Sequence, residues 1–180
     1  NTTLVCNGGV VKPEDGKHGK EVILDVVASD GRLEDFLRMA VKADKPPLTG
    51  AMNLKTKFDL PPGEGDVVEK LKLDGKFGVG NAQFTNAEVR DKLQNLSRRG
   101  QGHPKDEDAG SAVSQFKGDF KLNNGIASFR NLTFHVTGAT VNLNGDFGLR
   151  SEKLDFHGHL RLDAKLSQTT TGMKSFFRSE

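Results

Sequence analysis

One short pattern occurs five times in this chain and limits how it can fold. An apolar residue is followed two places later by a glycine, and further apolar residues continue at the same two-residue spacing. Polar residues occupy most of the positions between them. The central glycines are Gly50, Gly75, Gly118, Gly145 and Gly158. Because side chains alternate between the two faces of a β-strand, the pattern predicts strands with one apolar and one polar face, as in antiparallel sheets.

The glycines are unevenly spaced along the chain, which excludes a solenoid of fixed repeat length. A weaker sixth copy lies at Cys6, Gly8 and Val10. Since glycine weakens a strand, its recurrence on the apolar face requires a reason. Two reasons are open from the sequence. Glycine could let the sheet coil strongly, or the missing side chains could leave room for another molecule on that face.

Amphipathic helices are predicted to interrupt the strands. Apolar residues from Leu33 to Val41 follow helical spacing and predict a helix near 32–43, which Pro46 and Pro47 would end. The apolar residues after Met173 are consistent with the beginning of a further helix.

A second helix is predicted near 86–99. It would begin at Thr85 or Asn86, where Thr85 and Glu88 have the spacing of a capping box, and end at Gly100.

Three segments have the composition of loops. Pro61 to Gly65 is rich in turn-forming residues, and residues 100–111 are predicted to form a mobile loop because they contain almost no apolar side chains. Asn123-Asn124-Gly125 predicts a tight hairpin turn between two strands.

Composition excludes several classes of protein. The 180 residues include 26 basic and 24 acidic side chains, and a net charge of +2 does not indicate nucleic-acid binding. A single cysteine, Cys6, excludes an internal disulfide framework and a cysteine-based zinc site. Its place in an apolar run predicts a buried, unreactive thiol. No stretch approaches the roughly 20 apolar residues of a membrane span.

The sequence gives little support to catalysis. Neither a nucleophile elbow, a phosphate-binding loop, an HExxH motif nor a CxxC motif is present. His157 and His159 have the spacing of a metal-binding pair on one strand face, but that face is the polar one, so we expect them to be solvated. We therefore predict that the protein is not an enzyme and has neither a cofactor nor a metal site.

An ordered set of segments resembles the C-terminal region of bacterial AsmA-like proteins. The resemblance runs from about Gly31 to Phe177. Its most recognisable segments are Pro46–Gly50, Thr56–Gly63, Leu73–Phe77, Phe116–Phe120, Leu143–Gly145 and Leu154–Leu160. It implies that residues 1–180 form a single β domain of that type. Because the chain begins within a predicted strand and ends on apolar residues, we expect a fragment of a longer protein, with edge strands near Leu4 and 162–166.

The resemblance implies a fold and a function. AsmA-like proteins are envelope proteins of diderm bacteria, anchored in the inner membrane by an N-terminal helix, with the remainder in the periplasm. They are similar to bridge-like lipid-transfer proteins and are associated with phospholipid movement and outer-membrane assembly. The implied fold is mainly β, a strongly coiled antiparallel sheet forming a groove or flattened barrel, with two or three short amphipathic helices. The implied partners are a phospholipid or another acyl lipid and other envelope proteins, and the membrane anchor would lie outside this fragment.

A lipid-facing surface is predicted from the apolar positions of the strands. Its residues are Leu48, Gly50, Met52, Leu73, Gly75, Phe77, Phe116, Gly118, Phe120, Leu143, Gly145, Phe147, Phe156, Gly158 and Leu160. The alternative is a structural or interaction module that supports outer-membrane protein assembly without direct lipid binding. An enzyme such as a carbohydrate-active sandwich has the least support, since no paired carboxylates stand out and the chain lacks Trp and Tyr.

Overall fold

The protein is mainly β, and its described residues form an eight-stranded antiparallel sheet with three short helices. The computed structural model describes residues 2–12, 19–40, 46, 48–102 and 113–163. The strands are β1 (Leu4–Val11), β2 (Glu21–Arg32), β3 (Leu48–Leu60), β4 (Lys72–Phe84), β5 (Ser114–Asn123), β6 (Ile126–Val136), β7 (Ala139–Gly148) and β8 (Leu154–Leu162). The helices are α1 (Leu33–Ala40), α2 (Val67–Lys70) and α3 (Ala87–Gly100).

The strands follow one another across the sheet in chain order. Each strand pairs antiparallel with the next, so among the described strands β1 and β8 lie at the two edges. Within the described residues the sheet is not closed into a barrel, so the flattened barrel implied as one alternative by the resemblance was wrong for this part of the chain. Helix α1 follows β2, while α2 and α3 lie in the connections before and after β4.

The alternation in the sequence matches the observed register. Directly opposed residues of an antiparallel pair project from the same face. Phe120 is opposite Phe129, which is opposite Gly145, so these residues share a face with Phe147 two positions along β7. Leu160 and Leu162 lie opposite Val141 and Ala139 of β7, which alternate with Phe147 on the same face, so both leucines share that face. The opposite face holds Asp119, His157, His159 and Arg161. The face assignments predicted from the two-residue spacing are therefore confirmed.

Four irregular positions interrupt this alternation. Register shifts occur at Asp30, Asn81, Gln115 and Asn131, whose φ angles lie between 49° and 53°. In two of these bulges the backbone N–H donates to an asparagine side chain of the neighbouring strand: Asp30 to Asn53 at 3.1 Å and Asn131 to Asn144 at 3.0 Å. A bulge increases the local twist of a strand, so these positions bend the sheet without reversing its apolar face.

Two of the helices confirm the sequence prediction, with one correction. The predicted helices near 32–43 and 86–99 correspond to α1 and α3. The capping box was wrong, because Asn86 caps α3 by accepting a hydrogen bond from the backbone N–H of Val89 at 3.2 Å. The Thr85 hydroxyl instead donates to the carbonyl of Pro46 at 2.8 Å, and Glu88 pairs with Lys92 one turn along the helix.

The predicted hairpin is confirmed, and one helix was not predicted. Asn124 and Gly125 both have positive φ angles, 49° and 69°, between β5 and β6, as a tight hairpin turn requires. Helix α2 follows the turn-rich segment at 61–65 and was missed because it has only four residues. Residues 103–111 of the predicted mobile loop, and the helix proposed after Met173, lie outside the described residues.

The main core lies at one end of the sheet, beneath α1 and α3. Leu33 of α1 and Leu93 of α3 are both buried in it. Its remaining buried members come from the sheet and the segment before β5: Leu48, Met52, Val79, Ala82, Val113, Val136 and Ala139. The same apolar face that continues across the strands is therefore covered by helices at this end.

Candidate functional site

All fifteen residues predicted to face lipid lie on one face of the sheet, which we call the apolar face. The register connects them across the strands: Met52 is opposite Val79, Phe77 is opposite Gly118, and Gly145 is opposite Phe156. The remaining members follow by alternation along β3, β4, β5, β7 and β8. The register therefore brings these residues together on one face of the sheet.

The apolar face continues through all eight strands. Two neighbouring cross-strand rows illustrate this. The first is Cys6, Val26, Thr56, Gly75, Phe120, Phe129, Gly145 and Phe156, and the second is Gly8, Leu24, Phe58, Leu73, Leu122, Ala127, Phe147 and Leu154. Thr56 alone among these sixteen residues bears a hydroxyl group, which donates to the carbonyl of Lys57 at 3.0 Å. The rows therefore form an apolar strip from one edge of the sheet to the other.

Sequence reasoning missed several contributors to this face. In β2, apolar residues such as Ile23 and Val27 also occupy the opposite face, which hides the alternation of Val22, Leu24 and Val26. In β6, the bulge at Asn131 interrupts the two-residue spacing. Phe129 and Leu132 therefore project from the same face although they are three residues apart rather than an even number. A search that allowed one extra residue within a strand would have found the β6 positions.

Exposure of the apolar face differs between its parts. At the helix-covered end, Val79, Val113 and Ala139 are at most 2% exposed. On the edge strands, Val10 is 58% exposed and Leu154 is 71% exposed. Between these extremes the side chains of Leu24, Phe58, Leu73, Phe129, Phe147 and Phe156 are half-buried. Part of the apolar face is therefore a protein core, and part of it is open within the described chain.

Cys6 was predicted to be buried, and this was wrong. It lies on the apolar face as expected, but it is exposed. The reason is its place on β1, an edge strand with all eight residues exposed.

Phenylalanine rings form contacts along this face. Phe116 lies between Phe77 and Phe134, with ring centroids 5.4 and 6.4 Å away, respectively. A separate pair, Phe129 and Phe156, lies 5.9 Å apart across Gly145 of the intervening strand. Because these separations are typical of favourable aromatic pairs, the rings contribute to packing between strands.

The strand glycines permit a close approach of neighbouring backbones. A Cβ atom added to Gly145 would lie 2.2 Å from the carbonyl oxygen of Asp155, and one added to Gly158 would lie 1.9 Å from that of Asn142. At Gly75 it would lie 2.5 Å from both the Lys55 oxygen and the Thr56 Cβ. Of the two reasons left open by the sequence, these contacts count against room for another molecule. The space at these three glycines is already occupied by protein atoms.

The opposite, polar face carries alternating charges. Asp74 on β4 lies opposite Lys121 on β5, and their side chains form an ion pair at 2.9 Å. Near this pair is a concave depression of about 440 Å³, whose lining includes Asp119, Arg130 and Asp146. His157 and His159 are exposed on the same face. This face offers mixed charges and hydrogen-bonding groups.

A buried carboxylate joins α1 to the sheet. Glu34 is 7% exposed and accepts hydrogen bonds from Arg32 Nε at 2.7 Å and from the Gly50 backbone N–H at 3.4 Å. Burial by itself would raise the pKa of this carboxyl. The hydrogen bonds from backbone N–H groups and from Arg32, together with the guanidinium charge, outweigh burial and hold that pKa below its ordinary value. Glu34 is therefore a structural anion that fixes α1 on the apolar face.

Comparison with known proteins gives no further assignment. No family model, no curated protein and no solved structure matches this chain. Among the residues that the structure describes, no helix combines the length and apolar character needed to cross a membrane. In the same part of the chain, no three His, Cys, Asp or Glu side chains come together so as to hold a metal ion.

Proposed function

We propose that this domain is a periplasmic segment of an AsmA-like protein that binds and conducts the acyl chains of phospholipids between the inner and outer membranes. The observation that carries the proposal is the apolar face, which crosses all eight strands and is partly open away from α1 and α3. In the full-length protein an inner-membrane anchor would lie outside this fragment.

The energetics of acyl-chain binding suit such a face. Each CH₂ group removed from water contributes about 0.8 kcal/mol, whatever apolar side chain covers it. Half-buried residues such as Phe58, Leu73 and Phe147 present apolar surface without a hydrogen-bonding group that would select one headgroup. A surface of this kind favours long hydrocarbon chains over polar metabolites, and it requires neither a catalytic residue nor a cofactor.

We further propose that the sheet coils into a groove around the bound chains. Two contacts between non-adjacent parts of the sheet support this. Arg150, in the turn between β7 and β8, donates from Nε to Glu69 of α2 at 3.0 Å and also pairs with Asp66. At the other end, the Ser97 hydroxyl of α3 donates to the carbonyl of Thr137, in the turn between β6 and β7, at 2.8 Å. Each contact connects the β4 region with strands that lie two to four positions away in the sheet.

The proposal is tested first by asking whether the protein contains lipid. Mass spectrometry of an organic extract from purified protein should find phospholipid or fatty acid. A phospholipid with a photoreactive acyl chain should then label peptides from the apolar face, such as those containing Phe58 or Phe147. Absence of lipid from the extract, together with absence of labelling there, would refute lipid binding.

Adjacent exposed residues on β1 provide a matched test by substitution. Leu4 and Val10 project from the apolar face, whereas Val5 and Val11 project from the polar face, and all four are 43–58% exposed. Because an unpaired carboxylate is costly to place against hydrocarbon, the double variant Leu4→Glu/Val10→Glu should lose lipid several-fold. The control Val5→Glu/Val11→Glu adds the same charge to the same strand and should retain lipid. Equal retention by both variants would count against the apolar face, provided that circular dichroism shows both to be folded.

A structural or interaction module is the second candidate. The observation that favours it is the helix-covered core, where Leu33 and Leu93 pack on the apolar face as in an ordinary domain interior. If wild-type protein neither carries lipid nor binds the photoreactive probe, this function is preferred. The domain would then support outer-membrane protein assembly through its surfaces alone.

A further inference from the structure

The sequence of β8 is nearly symmetric about its centre. The strand reads LDFHGHLRL from Leu154 to Leu162, with Gly158 in the middle. When the strand is compared with its own sequence read backwards, leucine matches leucine at both ends, histidine matches histidine beside Gly158, and Asp155 matches Arg161. Within the described residues, β8 is an edge strand that pairs on one side with β7.

We propose that β8 pairs antiparallel with β8 of a second copy of this chain, around a two-fold axis at Gly158. An unpaired edge offers backbone N–H and C=O groups for such pairing. A closed two-fold interface uses the same surface on both subunits, so the strand must complement itself. The near-palindromic sequence of β8 meets this condition over its entire length of nine residues.

On the polar face, the proposed register brings opposite charges together twice. Asp155 lies opposite Arg161 of the second copy, and Arg161 lies opposite Asp155 of the second copy. Both side chains are exposed in the single chain, and neither Asp155 nor Arg161 has an ion-pair partner among the described residues. Their cross-strand neighbours on β7 are Asp146 and Thr140. Asp155 therefore faces another carboxylate within its own chain, and Arg161 of a second copy would relieve that repulsion.

On the apolar face, the same register covers exposed hydrocarbon. Leu160, which is 53% exposed, would lie opposite Phe156 of the second copy, and Leu154, which is 71% exposed, opposite Leu162. At the axis, two glycines would face each other without side chains. The apolar faces of the two copies would then form one continuous surface, because direct antiparallel partners project to the same side.

The other edge strand lacks this complementarity. β1 reads LVCNGGVV and has no charged residue, so it provides no charge pairing that would fix a register. A flat, uncharged strand specifies its partner weakly, whereas the Asp155–Arg161 pairs would penalise any shift of β8. This difference is the reason for assigning the interface to β8 rather than to β1.

Sedimentation analysis of the whole chain and of charge-swapped variants tests the proposal. Wild-type protein should dimerise as its concentration rises. Asp155→Arg or Arg161→Asp alone should weaken the dimer by about tenfold or more, because each change replaces two attractive cross-strand pairs with two repulsive ones. The double variant Asp155→Arg/Arg161→Asp restores both attractions with reversed polarity and should recover the wild-type dimerisation constant.

A charge-matched control separates this effect from a general change of net charge. Asp91→Arg alters an exposed residue of α3 by the same amount and should leave dimerisation unchanged. A strict monomer at all concentrations would overturn the proposal and indicate that the edge of β8 is covered within the chain. A dimer that is insensitive to the single swaps would also overturn it, and would move the interface elsewhere. Failure of the double variant to recover, when it is folded, would refute the proposed register.

Discussion

Two glycines of β4 allow a direct test of how tightly the sheet is bent. Gly75 projects to the apolar face and Gly78 to the polar face of the same strand. Neither has a φ angle in the left-handed region, so alanine is compatible with the backbone at both positions. Their surroundings differ, because a Cβ at Gly78 meets nothing within 4 Å whereas one at Gly75 lies 2.5 Å from the Lys55 oxygen and the Thr56 Cβ.

The expected magnitudes follow from this difference. Gly78→Ala should increase the free energy of unfolding by about 0.5–1 kcal/mol, since alanine loses less chain entropy in a strand. Gly75→Ala receives the same gain, but neighbouring atoms must move by about 1 Å to reach an ordinary contact distance. Overpacking of this kind costs about 1–3 kcal/mol, so Gly75→Ala should be less stable than Gly78→Ala by about that amount.

Urea denaturation followed by circular dichroism measures both values. Equal slopes of the unfolding transition would show that the two variants expose the same surface on unfolding, so that their midpoints can be compared. If Gly75→Ala is as stable as Gly78→Ala, the sheet is not closely packed at this glycine. The reasoning about bending would then be wrong, and room for a ligand on the apolar face would again be the better explanation.

Four further substitutions probe how α1 and α3 are attached to the sheet and capped. Glu34→Gln should lower the free energy of unfolding by about 1.5–3 kcal/mol at neutral pH, because it removes a charged hydrogen bond to Arg32. The folded-state pKa of Glu34 lies below its unfolded value, so this stabilisation is complete above the unfolded pKa and is lost as the pH falls through the folded pKa. Urea denaturation of wild type and Glu34→Gln across the acid range should therefore show the difference in their free energies of unfolding becoming smaller as the pH falls. Leu93→Ala should cost about 2–5 kcal/mol by leaving a cavity beneath α3, measured as a lower urea midpoint, and an unchanged midpoint would contradict the core assignment. Asn86→Ala should cost about 1 kcal/mol by removing the cap of α3, whereas Thr85→Ala should leave the helical circular dichroism signal near wild type.

Local patterns were sufficient for the elements in which sequence and register agree. The alternation around Gly118 and Gly145 predicted both the strands and their apolar side, because a strand's two faces are set by its own backbone geometry. The helical spacing near Leu33 and the turn residues at Asn124 and Gly125 were equally local, so they were also predicted. Helix α2 was missed because four residues are too few to establish a helical period.

The candidate site was predicted as a face, but its boundaries were not. A strict two-residue spacing does not place Phe129 and Leu132 on the same side of β6, because the bulge at Asn131 adds one residue between them. Cys6 was expected to be buried because its run is apolar, yet burial depends on whether another element covers the strand. The role of the glycines also required coordinates, since the atoms that approach Gly145 and Gly158 belong to neighbouring strands.

Which side chains can share a face follows from local spacing alone, because the two-residue period is a property of a single strand. The remaining features depend on tertiary contacts: among the described strands, eight such faces join in chain order, α1 and α3 cover one end, and β1 and β8 lie at the edges. These features depend on pairing between distant segments, and no local spacing encodes which neighbour a strand will have. The same apolar alternation therefore forms a buried core at Val79 and an exposed surface at Leu154.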